Sequence, residues 1–230
     1  MIRCSQKLSF HPCCIETISN SNSFTEGTSI FACGAYELKN DGSTENRVGS
    51  ITLYSILDDN FDSKKNESSK TIKLLSEIDC GNSGGVLDMK ANKFQLISAM
   101  SSSTVDIYGV NVTEDDASLQ RLDSVSKPDE GLFLSVDSNG LEESKNGHGL
   151  GENVLVTSTQ SGSILIYQYS TSGVTELHHI PDAHVFSSEA MPVWVVAMSG
   201  RSRNQIVSGG DDCKLKVVYC NRIYPIFRMN

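Results

Sequence analysis

The chain has 230 residues, enough for one large domain or two small ones, and 38% of them are hydrophobic, which is enough for a packed core. Nineteen basic against 28 acidic residues give a net charge of −9, which disfavours nonspecific binding to nucleic acid or to an anionic membrane. The chain contains neither an apolar run of about 18 residues nor a secretory signal. We therefore expect a cytoplasmic or nuclear protein with no membrane and no nucleic-acid partner.

The seven cysteines are scattered and include no C-x-x-C pair. An odd number fits neither a disulfide framework nor a structural zinc site. The sequence therefore predicts buried or free thiols, and it predicts no metal and no cofactor.

One type of strand recurs four times along the chain. Aligned on its last residue (54, 108, 167 and 218), it recurs at intervals of 54, 59 and 51 residues. Apolar and polar residues alternate within each copy, which is typical of a strand with one buried face. A second apolar run precedes each copy by a few residues, so each pair predicts a hairpin. The second runs are 30–33, 96–99, 154–157 and 206–208.

Further strands complete each repeat. Apolar runs at 86–89, 132–136 and 193–198 give a third strand, and weaker runs at 72–78 and 174–180 give a fourth. Four antiparallel strands per repeat is the pattern of a propeller blade. We therefore predict an all-β, WD40-type β-propeller with about four blades, at residues 8–56, 71–110, 118–169 and 174–219. Three polar insertions, at 58–70, 113–129 and 139–152, are predicted to be surface loops.

The last repeat is the most regular. His184 follows an alanine, and Asp212 lies in the tight turn before the final strand. These positions match the histidine and aspartate that are hydrogen-bonded inside a WD-repeat blade, which favours a structural pair. A catalytic His–Asp pair is the alternative.

The repeat ends irregularly. Val218-Tyr219 stands where a Trp-Asp dipeptide is expected, and a divergent tail, CNRIYPIFRMN, occupies 220–230. We expect an incomplete ring, shortened by an early stop or a retained intron.

Four stretches resemble the diphthine methyl ester hydrolases, a WD-repeat family whose members also carry the name diphthine methyltransferase. The order and spacing agree along 30–216, although Ala91 replaces a usual tryptophan and an insertion separates Glu189 from Trp194. The resemblance covers the N-terminal half of a family member of roughly seven blades. The stretches are FACGAYEL (31–38), RVGSITLY (47–54), GVLDMK (85–90) and the segment from Ala183 to Cys213.

The resemblance implies hydrolysis of the methyl ester of methylated diphthine on translation elongation factor two, during diphthamide biosynthesis. Such a reaction needs an activated water or nucleophile, a base and donors for the oxyanion. The candidate catalytic residues are His184, Glu189, Asp211 and Asp212, because they lie in loops or tight turns at blade edges. A non-catalytic WD40 interaction scaffold is the alternative function.

Overall fold

The structure is a computed structural model that describes residues 5–18, 28–40, 45–58, 70–92, 95–113, 116–139, 153–170, 173–199 and 205–219. Within these ranges the chain is almost entirely strands and turns, with two short 3-10 turns at Gly81–Ser83 and Pro128–Glu130. None of the described segments forms a helix that is long and apolar enough to cross a bilayer.

Three antiparallel sheets of four strands follow one another along the chain. Blade 1 consists of β1 (His11–Ile18), β2 (Ser29–Asn40), β3 (Glu45–Asp58) and β4 (Lys70–Asp79). Blade 2 consists of β5 (Val86–Asn92), β6 (Gln95–Met100), β7 (Thr104–Val112) and β8 (Ala117–Ser126). Blade 3 consists of β9 (Phe133–Ser138), β10 (Val154–Thr159), β11 (Ile164–Ser170) and β12 (Gly173–Ile180).

The last part of the described chain forms a small hairpin and a three-stranded sheet. The hairpin pairs β13 (Val185–Phe186) with β14 (Glu189–Ala190). Blade 4 consists of β15 (Val193–Met198), β16 (Gln205–Gly210) and β17 (Leu215–Tyr219).

The first strand of each sheet packs against the first strand of the next. Contacts join β1 to β5, β5 to β9 and β9 to β15. The sheets are therefore successive blades around a common centre, and the predicted WD40-type propeller is confirmed as a partial ring. The outer strands β4, β8 and β12 complete the sheets of blades 1, 2 and 3. The predicted repeats that begin at residues 71, 118 and 174 therefore each start with a strand that belongs to the preceding blade.

The core consists of apolar layers between neighbouring blades. On β6, Leu96 packs toward blade 1 and Ile97 packs toward blade 3. β10 is buried on both faces along its whole length, and its first three residues, Val154 to Val156, form an apolar run. Blade 4 differs, because Val195 and Leu215 are 53% and 73% exposed.

Bulges recur at the same place in the blades. The inner strands shift register once near their start, between Pro12 and Cys14, between Val86 and Asp88, and between Val193 and Val195. Such bulges bend a strand and redirect a side chain, and they are frequent beside functional sites.

The predicted loop at 113–129 is wrong for residues 117–126, which form β8. A bulge at Leu122 interrupts the alternation of apolar and polar residues there, since Arg121 pairs with Tyr108 and Asp123 pairs with Ile107. The period-two pattern was therefore hidden in the sequence. The predicted loops at 58–70 and 139–152 lie almost wholly outside the described residues, as does the tail at 220–230.

Candidate functional site

His184 is fully buried at the end of blade 4 and is held from both ring nitrogens. Nδ1 lies 2.6 Å from Asp212 Oδ1, and Nε2 lies 2.9 Å from Ser208 Oγ. Because a carboxylate only accepts, Nδ1 donates to Asp212, and Nε2 can accept from the serine hydroxyl. Gly210 makes room for the ring, since a Cβ at that position would lie 2.8 Å from His184 Cγ.

Asp212 has further partners besides His184. The backbone N–H of Lys214 donates to Oδ1 at 3.1 Å, and Lys216 Nζ lies 3.2 Å from Oδ2. Lys216 therefore forms an ion pair with this oxygen. Burial acts to raise the pKa of Asp212, but the hydrogen bond from His184 and the contacts of Lys214 and Lys216 lower it to about 2. The carboxylate is therefore ionised.

The chain Ser208–His184–Asp212 has the hydrogen-bond order of a serine hydrolase relay. However, the three residues are only 1%, 0% and 5% exposed, so an ester carried by another protein could not reach the serine. Buried polar groups that satisfy one another in this way stabilise a fold. The geometry thus favours the structural role for His184 and Asp212 over the catalytic one.

The other two candidate residues lie on the surface. Asp211 accepts a 2.6 Å hydrogen bond from the indole nitrogen of Trp194, whose ring is 56% exposed. Glu189 lies on the exposed strand β14, opposite Phe186 of β13. The structure therefore divides the four candidates into a buried pair and a surface pair.

The hairpin β13–β14 lies between His184 and Trp194. The hairpin begins directly after His184 and ends directly before Met191. The backbone N–H of Met191 donates to the carbonyl of His184 at 2.9 Å. The hairpin is therefore closed by a backbone hydrogen bond next to His184, whose ring contacts Ser208 of β16.

The corresponding turn of blade 3 holds different residues. Glu130 precedes the inner strand, as His184 does, and Ser161 occupies the turn position of Asp212. The carboxylate of Glu130 accepts hydrogen bonds from Ser161 and Thr159, and His179 Nε2 lies 2.9 Å from Glu130 Oε1. Burial acts to raise the pKa of Glu130, but these hydrogen bonds and His179 lower it. This cluster contains no residue of the predicted site.

The cluster around Glu130 is not a catalytic relay. His179 reaches Glu130 and Ser163 through the same nitrogen, Nε2, at 2.9 and 3.2 Å. In a catalytic relay one ring nitrogen donates to the carboxylate, and the other ring nitrogen accepts from the hydroxyl of the nucleophile. In blade 2 the equivalent contact is neutral, because Ser102 Oγ donates to the carbonyl of Ser83 at 2.6 Å.

Carboxylates on the inner strands fasten each blade to the next. Glu16 on β1 accepts from the N–H of Ala91 on β5 at 3.2 Å. Asp88 accepts from the N–H of Val136 on β9 at 2.9 Å, and Asp137 accepts from the N–H of Met198 on β15 at 2.7 Å. Asp88 belongs to the GVLDMK stretch, but the sequence indicates no role for it. Its partner lies 48 residues away, which no local pattern reveals.

An open pocket of about 310 Å³ lies between blades 1 and 2, lined by residues that include Asp79, Cys80, Tyr108 and Arg121. Burial raises the pKa of Cys80 to about 12, so its thiol stays protonated and is a poor nucleophile. Arg121 is engaged with the buried Asp106 and with Ser83. Among the described residues, no three His, Cys, Asp or Glu side chains are grouped closely enough to hold a metal ion.

Comparison with curated proteins shows one relative. The chain is 27% identical over 204 residues to a Dictyostelium discoideum protein named "Diphthine methyltransferase homolog", covering 84% of this chain and 52% of the relative. The similarity confirms the resemblance that the motifs predict. The chain thus spans about half the length of this relative. No family model matches the chain.

Comparison with solved structures shows the fold. Sqt1 from Chaetomium thermophilum matches with a TM-score of 0.58 at 14% identity, over 91% of this chain and 44% of Sqt1. Sqt1 bound to the N-terminus of the ribosomal protein L10 matches with a TM-score of 0.56 at 13% identity, over 91% of this chain and 45% of Sqt1. The computationally designed Ika4 protein matches with a TM-score of 0.54 at 14% identity, over 94% of this chain and 95% of Ika4.

Proposed function

We propose that the chain acts in diphthamide biosynthesis and hydrolyses the methyl ester of methylated diphthine on translation elongation factor two. The observation that carries this proposal is the similarity to the diphthine methyltransferase homolog, which extends along 84% of the chain. The reaction adds water to the ester and releases methanol, leaving the carboxylate on the modified histidine.

The surface pair, Glu189 and Asp211, supplies the chemistry in this proposal. Both carboxylates lie at the end of blade 4 that a protein substrate can reach. Ester hydrolysis needs a base to activate water. Glu189 is the better candidate for the base, since Asp211 already accepts the indole N–H of Trp194. Asp211 then positions Trp194 as a contact surface for the substrate.

The test is incubation of the purified chain with elongation factor two that carries methylated diphthine, taken from cells that lack the gene. We expect methanol release and a mass decrease of one methyl ester on the modified peptide. Glu189→Gln should abolish turnover, whereas Asp182→Asn, which changes another exposed acid nearby, should leave it unchanged. An unchanged substrate with a folded chain would contradict the proposal.

The relative's name denotes a methyltransferase rather than an ester hydrolase. A matched reaction with the demethylated factor and a sulfonium methyl donor distinguishes the two. Formation of the methyl ester there, without hydrolysis in the first assay, would favour a transferase.

A second candidate function is a WD40 interaction scaffold. Phe186 and Trp194 are 60% and 56% exposed at the same end of blade 4, and exposed aromatic residues are frequent in protein interfaces. Binding of elongation factor two without hydrolysis, weakened by Trp194→Ala, would favour this function.

A further inference from the structure

Cys13 and Cys14 are the only adjacent cysteines in the sequence, and they lie on β1, the inner strand of blade 1. Neighbouring side chains of a regular strand point to opposite faces. Here the register shifts between Pro12 and Cys14, so Cys13 is left unpaired in a bulge. As a result the two Sγ atoms lie only 3.6 Å apart.

The two thiols have different surroundings. Cys13 is exposed, whereas Cys14 is partly buried. Cys13 Sγ lies 2.8 Å from the carbonyl oxygen of Val86 and thus donates across the boundary to blade 2. Gly34 leaves room for the second thiol, because a Cβ at that position would lie 2.6 Å from Cys14 Sγ.

The contact between the thiols makes them chemically unequal. The contact with Cys14 Sγ lowers the pKa of Cys13, although burial and the charge of Asp88 oppose this effect. The same contact, together with burial, raises the pKa of Cys14. An exposed thiol that ionises more readily, beside a protected one, is the arrangement of an attacking and a resolving cysteine.

We propose that Cys13 and Cys14 form a reversible vicinal disulfide by exchange with a small-molecule disulfide such as glutathione disulfide. The Cys13 thiolate attacks one sulfur of glutathione disulfide, which forms a mixed disulfide and releases one glutathione thiolate. Cys14 then loses its proton and attacks Cys13 Sγ, which releases the second glutathione. The cysteine pair loses two electrons and two protons, and glutathione disulfide is reduced to two glutathione molecules.

Chain geometry makes this disulfide easy to reduce. Neighbouring Cα atoms are about 3.8 Å apart, closer than the roughly 4.4–6.8 Å of ordinary disulfides. A strained, exposed disulfide is labile rather than structural. Oxidation also removes the S–H that Cys13 donates to Val86, so it weakens the contact between blades 1 and 2.

The test uses the full chain with Cys4→Ser and Cys220→Ser, which removes the two cysteines outside the described residues. After glutathione disulfide treatment and alkylation, mass spectrometry should show Cys13 and Cys14 joined without added glutathione. Peptide fragmentation separates this product from one that involves Cys33. The exposed Cys213, whose sulfur contacts the carbonyl of Asp211 rather than a second thiol, should retain one glutathione.

Cys14→Ser should leave glutathione on Cys13, because the resolving thiol is gone. Oxidation of the chain with Cys14 intact should also lower its Tm by about 2–4 °C, the change expected for about 1 kcal/mol in a chain of this size. Stable glutathione on Cys13 while Cys14 is present would overturn the proposal. An unreactive Cys13 in a chain whose Cys213 reacts would also overturn it.

Discussion

Blades 3 and 4 fill the same turn with different residues. In blade 4 a histidine before the inner strand donates to an aspartate in the turn, while in blade 3 a glutamate before the inner strand accepts from a serine in the turn. The carboxylate lies in the turn in blade 4 and before the inner strand in blade 3, but in both blades the donor is hydrogen-bonded to an acceptor. This position therefore requires a matched pair of polar groups and not a particular pair of residues.

The largest expected effect is at Asp212. Asp212→Ala leaves His184 and Lys216 buried without their carboxylate, so we expect a loss of about 3–5 kcal/mol in the free energy of unfolding. Urea denaturation measures this loss. Asp211→Ala is the matched control, because its exposed hydrogen bond from Trp194 should contribute about 1 kcal/mol. Equal losses for the two variants would contradict the structural role of Asp212.

A residue swap sharpens the comparison between the blades. Ser161→Asp alone places a second carboxylate beside Glu130. Glu130→His alone places a histidine beside Ser161. Combining them recreates the His–Asp pair of blade 4. The double variant should therefore lose about 1–3 kcal/mol less than the sum of the single variants. Simple additivity would show that the two turns are not equivalent.

Acid should weaken blade 4 through Asp212. Its pKa is about 2 in the folded chain, below the ordinary 3.8, so its contribution is complete above the ordinary value and is lost as the pH falls toward 2. Urea midpoints between about pH 5 and pH 2 should fall more steeply for the native chain than for Asp212→Asn. Parallel curves would mean that Asp212 is not the titrating group.

The smallest effect concerns three equivalent hydroxyls on the second strands of blades 2, 3 and 4. Ser208 Oγ contacts His184, and Thr157 Oγ1 donates to the carbonyl of Ser135, whereas Ser98 Oγ is buried without a partner. Ser208→Ala should cost about 1 kcal/mol, while Ser98→Ala should be neutral or slightly stabilising. Differential scanning calorimetry of the two variants decides this. A larger loss at Ser98 would reverse the order.

The repeats could be predicted from the sequence because apolar and polar residues alternate regularly within their strands. His184 and Asp212 were readable because they match a known repeat position. Glu130 and Ser161 were not, since neither residue type fits that pattern. The bulge at Leu122 concealed β8 for a similar reason, because one extra residue disrupts a period of two.

Exposure was the other property that sequence could not supply. His184 and Glu189 were both candidates in the sequence, but the fold encloses the first and leaves the second on a surface hairpin. Burial depends on which strands pack together over long separations.

The most direct test of the account is whether Ser208 reacts as a nucleophile. Ser208, His184 and Asp212 form a closed structural cluster, and in the proposed function the chemistry belongs to the surface of blade 4. Treatment of the native chain with a fluorophosphonate, followed by peptide mass spectrometry, should show no adduct on Ser208. An adduct on Ser208 that disappears in His184→Ala would contradict the account and would identify a working serine hydrolase relay.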